Sequence, residues 1–262
     1  MFGLQFQTLL FAQSDTISDH SVGSILVDDA ETVLHDAGEI FLAPLHFDKD
    51  AWLTTAAISG GTVLLFSLDE SVRTLAQRNH SSANNTILEV GKQYGREIYG
   101  LSLSGALYLG GLAFRNREVR TTGVMLFESI AFAGITTTVI KSIVGRSRPY
   151  VEEGSTRFRG FQFDNNYESL PSGHSTVAFS ISSVIAGRIK NTYATIGLYS
   201  LATLTAFSRV YHDQHWLSDT FLGAAIGTAV GMTVIHLHEK RTGDASLRIS
   251  PTLHGVRITL QF

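Results

Sequence analysis

Six internal stretches of this chain contain no Asp, Glu, Lys or Arg: Ala51–Leu68, Ile98–Phe114, Ser129–Ile140, Ser175–Gly187, Asn191–Ser208 and Thr220–Ile235. A bilayer-spanning helix needs about 20 predominantly apolar residues, with a lower limit of roughly 17. The first, second and fifth stretches reach that limit. The others do so only with polar ends or one buried charge, as when the third is extended back to Thr121 across Glu128. All six are rich in Gly, Ala, Ser and Thr, which lets helices approach closely where no hydrophobic drive exists between them. The expectation is an all-α, membrane-embedded bundle with a six-helix core; the alternative is a soluble bundle of buried helices.

The charged connections favour the membrane. If the stretches alternate in direction, one side gathers Arg115, Arg117 and Arg120, then Arg188 and Lys190, then Lys240 and Arg241. Basic residues in short loops mark the cytoplasmic face. The long mixed-charge connections, Asp69–Glu97 and Arg146–Glu168, then lie outside, in the periplasm of a bacterial-type envelope.

The chain ends read differently, giving three expected regions: an N-terminal extension (1–50), a helical domain (51–241) and a tail (242–262). Met1–Ala12 is apolar without the basic start of a signal peptide, and Ala12-Gln13-Ser14 resembles a cleavage site only weakly. Val27–Leu42 has helically spaced apolar residues and predicts an amphipathic surface helix. Val256, Ile258, Leu260 and Phe262 alternate with polar residues, a short β-like tail.

Composition excludes several chemistries. The 262 residues include no cysteine, so disulfides, thiolate metal sites and a Cys nucleophile are out. With 20 Lys+Arg against 23 Asp+Glu, the net charge of −3 argues against a nucleic-acid partner.

Three polar clusters sit at ends of the apolar stretches. Lys141-Ser-Ile-Val-Gly-Arg-Ser-Arg148-Pro149 leaves the third, Pro171-Ser172-Gly173-His174 enters the fourth, and Ser208-Arg209 with His215 and Asp219 links the fifth to the sixth. Alternating helices bring all three to one end of the bundle. Lys141, Arg148 and Arg209 would supply cations there, two with guanidinium forks that match phosphate oxygens. Pro149 is expected to stop the third helix at about Arg148. Ser172 and Gly173 would aim backbone N–H groups at an anion from a helix N-terminus. His215 and Asp219, four apart, share a helix face, so Asp219 would hold one ring nitrogen and leave the other to attack phosphorus. His174 would protonate the leaving oxygen.

Lys-x6-Arg-Pro, Pro-Ser-Gly-His and Ser-Arg-x5-His-x3-Asp, in this order, resemble the three-part signature of the type-2 phosphatidic acid phosphatase superfamily. The resemblance covers about residues 98–238. It implies an all-α core and metal-independent hydrolysis of a phosphate monoester or diphosphate, with a lipid phosphate in the membrane as the expected partner. It implies no cofactor, and a phospho-histidine on His215 oriented by Asp219, with His174 as acid. Lys141, Arg148, Ser172, Gly173 and Arg209 would hold the phosphoryl oxygens. A soluble or membrane-associated periplasmic phosphatase and a vanadate-dependent haloperoxidase are the alternatives within that resemblance.

Three further features stay open. His212, Asp213, His215 and Asp219 admit a metal cluster, although the neighbouring cations oppose one. Glu128, within an apolar stretch, is a functional candidate or a helix–helix hydrogen bond. Tyr150, Phe158, Phe161, Phe163 and Tyr167 form either an interfacial lid over the site or a small satellite core.

Overall fold

The computed structural model describes residues 21–161, 163–242, 246–252 and 255–261. Met1–Ala12, the cleavage-like Ala12-Gln13-Ser14 and Phe262 lie outside them. The helices are α1 (Val22–Leu42), α2 (Lys49–Arg78), α3 (Ser82–Tyr94), α4 (Glu97–Ala113), α5 (Arg117–Val144), α6 (Gly173–Ile189), α7 (Thr192–Tyr211) and α8 (Leu217–Thr242). Strands β1 (Ser246–Thr252) and β2 (Gly255–Gln261) form an antiparallel hairpin, with Ile249 opposite Ile258.

Helix ends follow local chemistry. Asn116 caps α5 by accepting the Val119 N–H at 3.1 Å, and Asn191 caps α7 by accepting from Tyr193 and Ala194. The exit of α5 differs from the expectation built on Pro149. The helix stops at Val144, where Gly145 turns left-handed at φ 60 and donates to the Lys141 carbonyl. A Cβ on Gly145 would come within 2.7 Å of the Gly160 nitrogen, so the residue both ends the helix and admits the returning loop. The expected long connection Asp69–Glu97 is also helical, taken up by the end of α2 and by α3.

α6 forms the centre of the bundle. Met125, Leu126, Ile130 and Phe132 of α5 pack with Val177, Ile181 and Val184 of α6 and with Val234 of α8. On α8, Gly223, Gly227 and Gly231 repeat every fourth residue against α6. A Cβ there would meet Ser172 O at 2.4 Å, Thr176 O at 2.2 Å and Ser183 Cβ at 2.8 Å. Only a bare glycine surface permits that separation. Polar bonds cross the remaining seams, including Thr137 to Thr176 at 3.0 Å and Tyr94 to Ser182 at 2.9 Å.

Among the described residues, three helices are long and apolar enough to cross a membrane: α2, α5 and Leu217–Arg241 of α8. α2 contains Ala51–Leu68, one of the three stretches singled out by charge-free length; α5 and α8 take the place of the other two, because they extend well past their uncharged segments and gain full spanning length. α4 and α6, at 17 residues each, are shorter. Leu53, Val63, Leu64, Leu68, Ile98, Leu109 and Ile196 lie exposed on the outside of the bundle. That apolar surface suits lipid rather than water.

Candidate active site

The direction of the helices assembles the site. α5 and α7 end, and α6 and α8 begin, at one end of the bundle. Arg115, Arg117, Arg120, Arg188, Lys190, Lys240 and Arg241 therefore sit at or near the opposite helix ends.

His215 lies in the short turn before α8 and is almost fully buried. Its Nδ1 is 2.8 Å from the Ser169 carbonyl oxygen. A carbonyl only accepts, so Nδ1 carries the proton and Nε2 keeps its lone pair. This corrects the expected direct clasp by Asp219, whose Oδ2 is 3.7 Å from Nδ1. Asp219 instead accepts from the Trp216 N–H at 2.8 Å and from the Ser169 hydroxyl. It grips the two backbone segments that flank the ring rather than the ring itself.

The charges of the other motif side chains act on the same ring. Burial pushes His215 well below its ordinary value, aided by Arg148, Lys141, Arg209 and His174 in that order. His174, in the first turn of α6, is pushed down to about 3 by burial, then by Arg209, Lys141, Arg148 and Arg96. Both shifts favour the neutral imidazole. Arg96 has no part in the sequence motifs; it joins because the corner between α3 and α4 packs on α6. Gly95 makes that packing possible, since a Cβ there would stand 2.7 Å from the His174 carbonyl oxygen.

Each cation is held separately. Arg148 donates through Nε to Asn165 O at 2.7 Å and through Nη2 to Asn165 Oδ1 at 2.8 Å. Lys141 Nζ donates to Glu168 O at 2.9 Å. Arg209 is buried, and its Nε–H has no hydrogen-bond partner among the described residues. Ser172 departs from expectation: its N–H donates to the Asp219 carbonyl at 2.9 Å, so it locks α6 to α8 instead of facing an anion. Gly173 keeps its place in the first turn of α6, with open space within 4 Å of where a Cβ would stand.

Two charged residues lie outside the sequence motifs and belong to the site. Arg146, between Lys141 and Arg148, has no solvent exposure. It donates to Asp219 Oδ1 at 2.6 Å, Ser218 Oγ at 2.7 Å and Asp69 Oδ2 at 2.7 Å. Asp69, on α2, also accepts the Ser218 N–H at 2.9 Å at the start of α8. A charge inside an otherwise apolar helix is the signal that could have found Asp69; from sequence it singles out Glu128 alone.

Glu128 belongs elsewhere. Its Oε2 is 2.7 Å from His238 Nε2, and His238 is also 3.6 Å from Asp36, which pairs with Arg241. From Asp219 to His238 is 19 residues of α8, about 28 Å. The metal reading around His212 is not supported either. Asp213 forms a 2.7 Å ion pair with Arg73, and His212 Nδ1 contacts Ser208 O at 2.7 Å. The aromatic loop is divided. Tyr167 is buried and Phe158 lies 5.6 Å from the Arg146 guanidinium, while Phe161 and Phe163 are 78% and 85% exposed.

Comparison with known proteins matches this arrangement. A family model described as the PAP2 superfamily covers residues 122–243. A lipid A 1-phosphatase of Porphyromonas gingivalis is 25% identical over 235 residues, 87% of this chain and 47% of its own length. Another, of Rhizobium johnstonii, is 29% identical over 110 residues, 40% of this chain and 43% of its own. The chain thus spans about half the length of the curated relatives it matches. The crystal structure of Aquifex aeolicus LpxE aligns with TM-score 0.51 at 19% identity, covering 64% of this chain and 95% of that one. A transmembrane PAP2-type phosphatidylglycerolphosphate phosphatase of Bacillus subtilis aligns with TM-score 0.56 at 20% identity, covering 71% and 96%. At those identities the likeness is one of fold. The matched segment contains all three polar clusters, Lys141 to Pro149, Pro171 to His174 and Ser208 to Asp219, and over it this chain is similar to the PAP2 superfamily.

Proposed function

We propose that this membrane protein is a phosphatase that hydrolyses a lipid phosphate monoester or diphosphate through a phospho-histidine, without a metal. One observation carries the reading. A buried imidazole with Nδ1 tied to a carbonyl keeps the Nε2 lone pair, the charges of Arg148, Lys141 and Arg209 act on that ring, and the buried Arg209 Nε–H has no acceptor among the described residues.

In the first step Nε2 of His215 bonds to phosphorus, and the bond from phosphorus to the lipid oxygen breaks. His174, which takes up a proton while the phosphate offsets the surrounding cations, gives that proton to the oxygen, and the alcohol, or from a diphosphate the lipid monophosphate, leaves. In the second step His174 takes a proton from water, the water oxygen bonds to phosphorus, and the phosphorus–nitrogen bond breaks to release inorganic phosphate. Charge gathers on the phosphoryl oxygens in both steps. Lys141, Arg148, Arg209 and the α6 N-terminus at Gly173 offset it from fixed positions. Asp219 keeps the segments flanking His215 in place.

The lipid A 1-phosphatases among the relatives make the phosphate of lipid A the first substrate to test. The B. subtilis phosphatidylglycerolphosphate phosphatase of similar fold makes phosphatidylglycerol phosphate the second. The basic helix ends lie opposite the site, which under the positive-inside rule supports a site facing the periplasm.

The test is phosphate release by the detergent-purified protein on lipid A, phosphatidic acid, phosphatidylglycerol phosphate and undecaprenyl diphosphate, with EDTA present. Turnover of at least one lipid supports the reading. Release that needs added zinc or magnesium overturns its metal-free part, and no release from any of them overturns the whole.

A further inference from the structure

Asp69, Arg146 and Asp219 form a line of alternating charge with no solvent exposure at any of the three. Arg146 is fixed on every side. Its Nε and Nη2 donate to the Ser155 carbonyl, and its guanidinium lies 4.3 Å from the Phe66 ring and 5.6 Å from the Trp216 ring. Asp69 is fixed as firmly, because it receives both the N–H and the hydroxyl of Ser218. α2 is thereby bolted to the first turn of α8, one residue before Asp219. Asp69 and Phe66 stand outside residues 122–243, so a helix beyond the matched segment completes this arrangement.

The line continues to the reacting atom. Asp219 Oδ1 faces Arg146, which leaves Oδ2 to hold the Ser169 hydroxyl and the Trp216 N–H. Ser169 then accepts His215 Nδ1–H on its carbonyl, and Trp216 is the next residue in the chain. Trp216 is held again at its indole N–H by Ser147 O at 2.9 Å. A shift of Arg146 thus reaches the imidazole through two short paths.

We propose that Asp69 and Arg146 are positioning residues for phosphoryl transfer. They hold Asp219 in one rotamer, and through the backbone at residues 169 and 216 they aim Nε2 of His215 at phosphorus. The proposal rests on the phosphatase reading above. Both side chains are fully buried and taken up by protein partners, so neither is placed to touch the phosphate. Their loss should therefore weaken the attack and spare the binding. A misplacement of about 1 Å in the attacking atom costs on the order of a hundredfold in rate.

The experiment compares wild type and Asp69→Asn, purified in detergent, on a lipid phosphate that the wild type hydrolyses. Competitive inhibition by inorganic phosphate and by vanadate is measured beside it. Phosphate needs only the cations, whereas vanadate needs His215 as an apical ligand to become five-coordinate. Expected for Asp69→Asn is a kcat lower by about ten- to a hundredfold, with KM and phosphate affinity within about threefold. Vanadate affinity should fall well beyond phosphate affinity. If Asp69→Asn does not fold, Arg146→Lys is read by the same criteria. A kcat within about twofold of wild type overturns the proposal. So does a parallel loss of kcat, phosphate affinity and vanadate affinity, which is the mark of general loosening. A wild type that neither releases phosphate nor binds vanadate overturns the phosphatase reading and this proposal with it. An active wild type with an unaltered Asp69→Asn overturns the positioning role alone.

Discussion

Nδ1 of His215 is 2.8 Å from the main-chain oxygen of Ser169 and 3.7 Å from Oδ2 of Asp219. The tautomer is therefore set by the backbone, and the carboxylate acts on the ring through the segments it grips. That division of labour makes the two side chains separable by mutation.

His215→Ala should abolish turnover, a loss of about a thousandfold or more, because no other described group is placed to accept the phosphoryl. Asp219→Asn should keep measurable activity, since the Ser169 carbonyl still holds Nδ1–H. Its loss is expected nearer a hundredfold, the scale of a misplaced nucleophile. Initial rates of phosphate release on both variants check this. Substantial activity in His215→Ala would remove that residue from the role of nucleophile.

The motif residues are legible from sequence because their spacing around apolar stretches fixes which helix end each one occupies. The partners of those residues are not. A four-residue spacing suggests that His215 and Asp219 share a helix face, but His215 lies in the turn before α8, and its hydrogen bond goes to Ser169, which arrives from a loop 46 residues away. Ser172 offers an N–H at a helix start, and the neighbouring helix consumes it, which only the α6–α8 separation reveals. Asp69 is hidden for the opposite reason. At the edge of a charge-free stretch it reads as the beginning of a loop, whereas α2 continues to Arg78 and buries it.

The depressed value of His174, about 3 against an ordinary 6.5, has a signed consequence. The unfolded chain takes up a proton near pH 6.5 that the folded, anion-free site refuses, so stability from this group is present above that pH and is lost as pH falls from about 6.5 toward 3. A bound anion offsets Arg209, Lys141 and Arg148 and lets His174 keep its proton. Sulfate has the same charge across this range. It should therefore raise the melting temperature more at about pH 5.5 than at about pH 7.5, and His174→Asn should reduce that difference, leaving the part carried by His215. Equal protection of wild type at both pH values would show that His174 does not take up a proton with the anion.

The glycine row on α8 predicts a packing defect that can be measured without activity. Gly227→Ala would place its Cβ 2.2 Å from the Thr176 carbonyl oxygen, which belongs to helix backbone and cannot rotate away. The helices must separate, at a cost of about 1–3 kcal/mol. Gly197→Ala on α7, where nothing lies within 4 Å, serves as the control. It should be neutral or gain up to about 1 kcal/mol from helix propensity. Unfolding of both variants in mixed micelles compares them. A Gly227→Ala protein as stable as wild type would mean that α6 and α8 do not pack this closely.

Phe161 and Phe163 present the last case. The Arg146–Tyr167 connection keeps its shape from within: Arg146 bridges to Phe158, Arg148 holds Asn165, and Tyr167 is buried with its hydroxyl 3.1 Å from Glu153. Phe161 and Phe163 contribute little to that framework, since both rings stand exposed, and Phe161 does so from a strained backbone at φ 49. Exposed aromatic rings beside a membrane-embedded site suit the head-group layer, where they can lie against a lipid tail. Burying one such ring is worth about 1.5–3 kcal/mol, and each 1.4 kcal/mol is about tenfold in affinity. Phe161→Ser combined with Phe163→Ser should therefore raise KM for a lipid phosphate by about tenfold or more. Hydrolysis of p-nitrophenyl phosphate, which has no tail, should stay within about twofold. Equal losses on the two substrates would make these rings part of the loop's structure and remove them from any part in admitting the lipid.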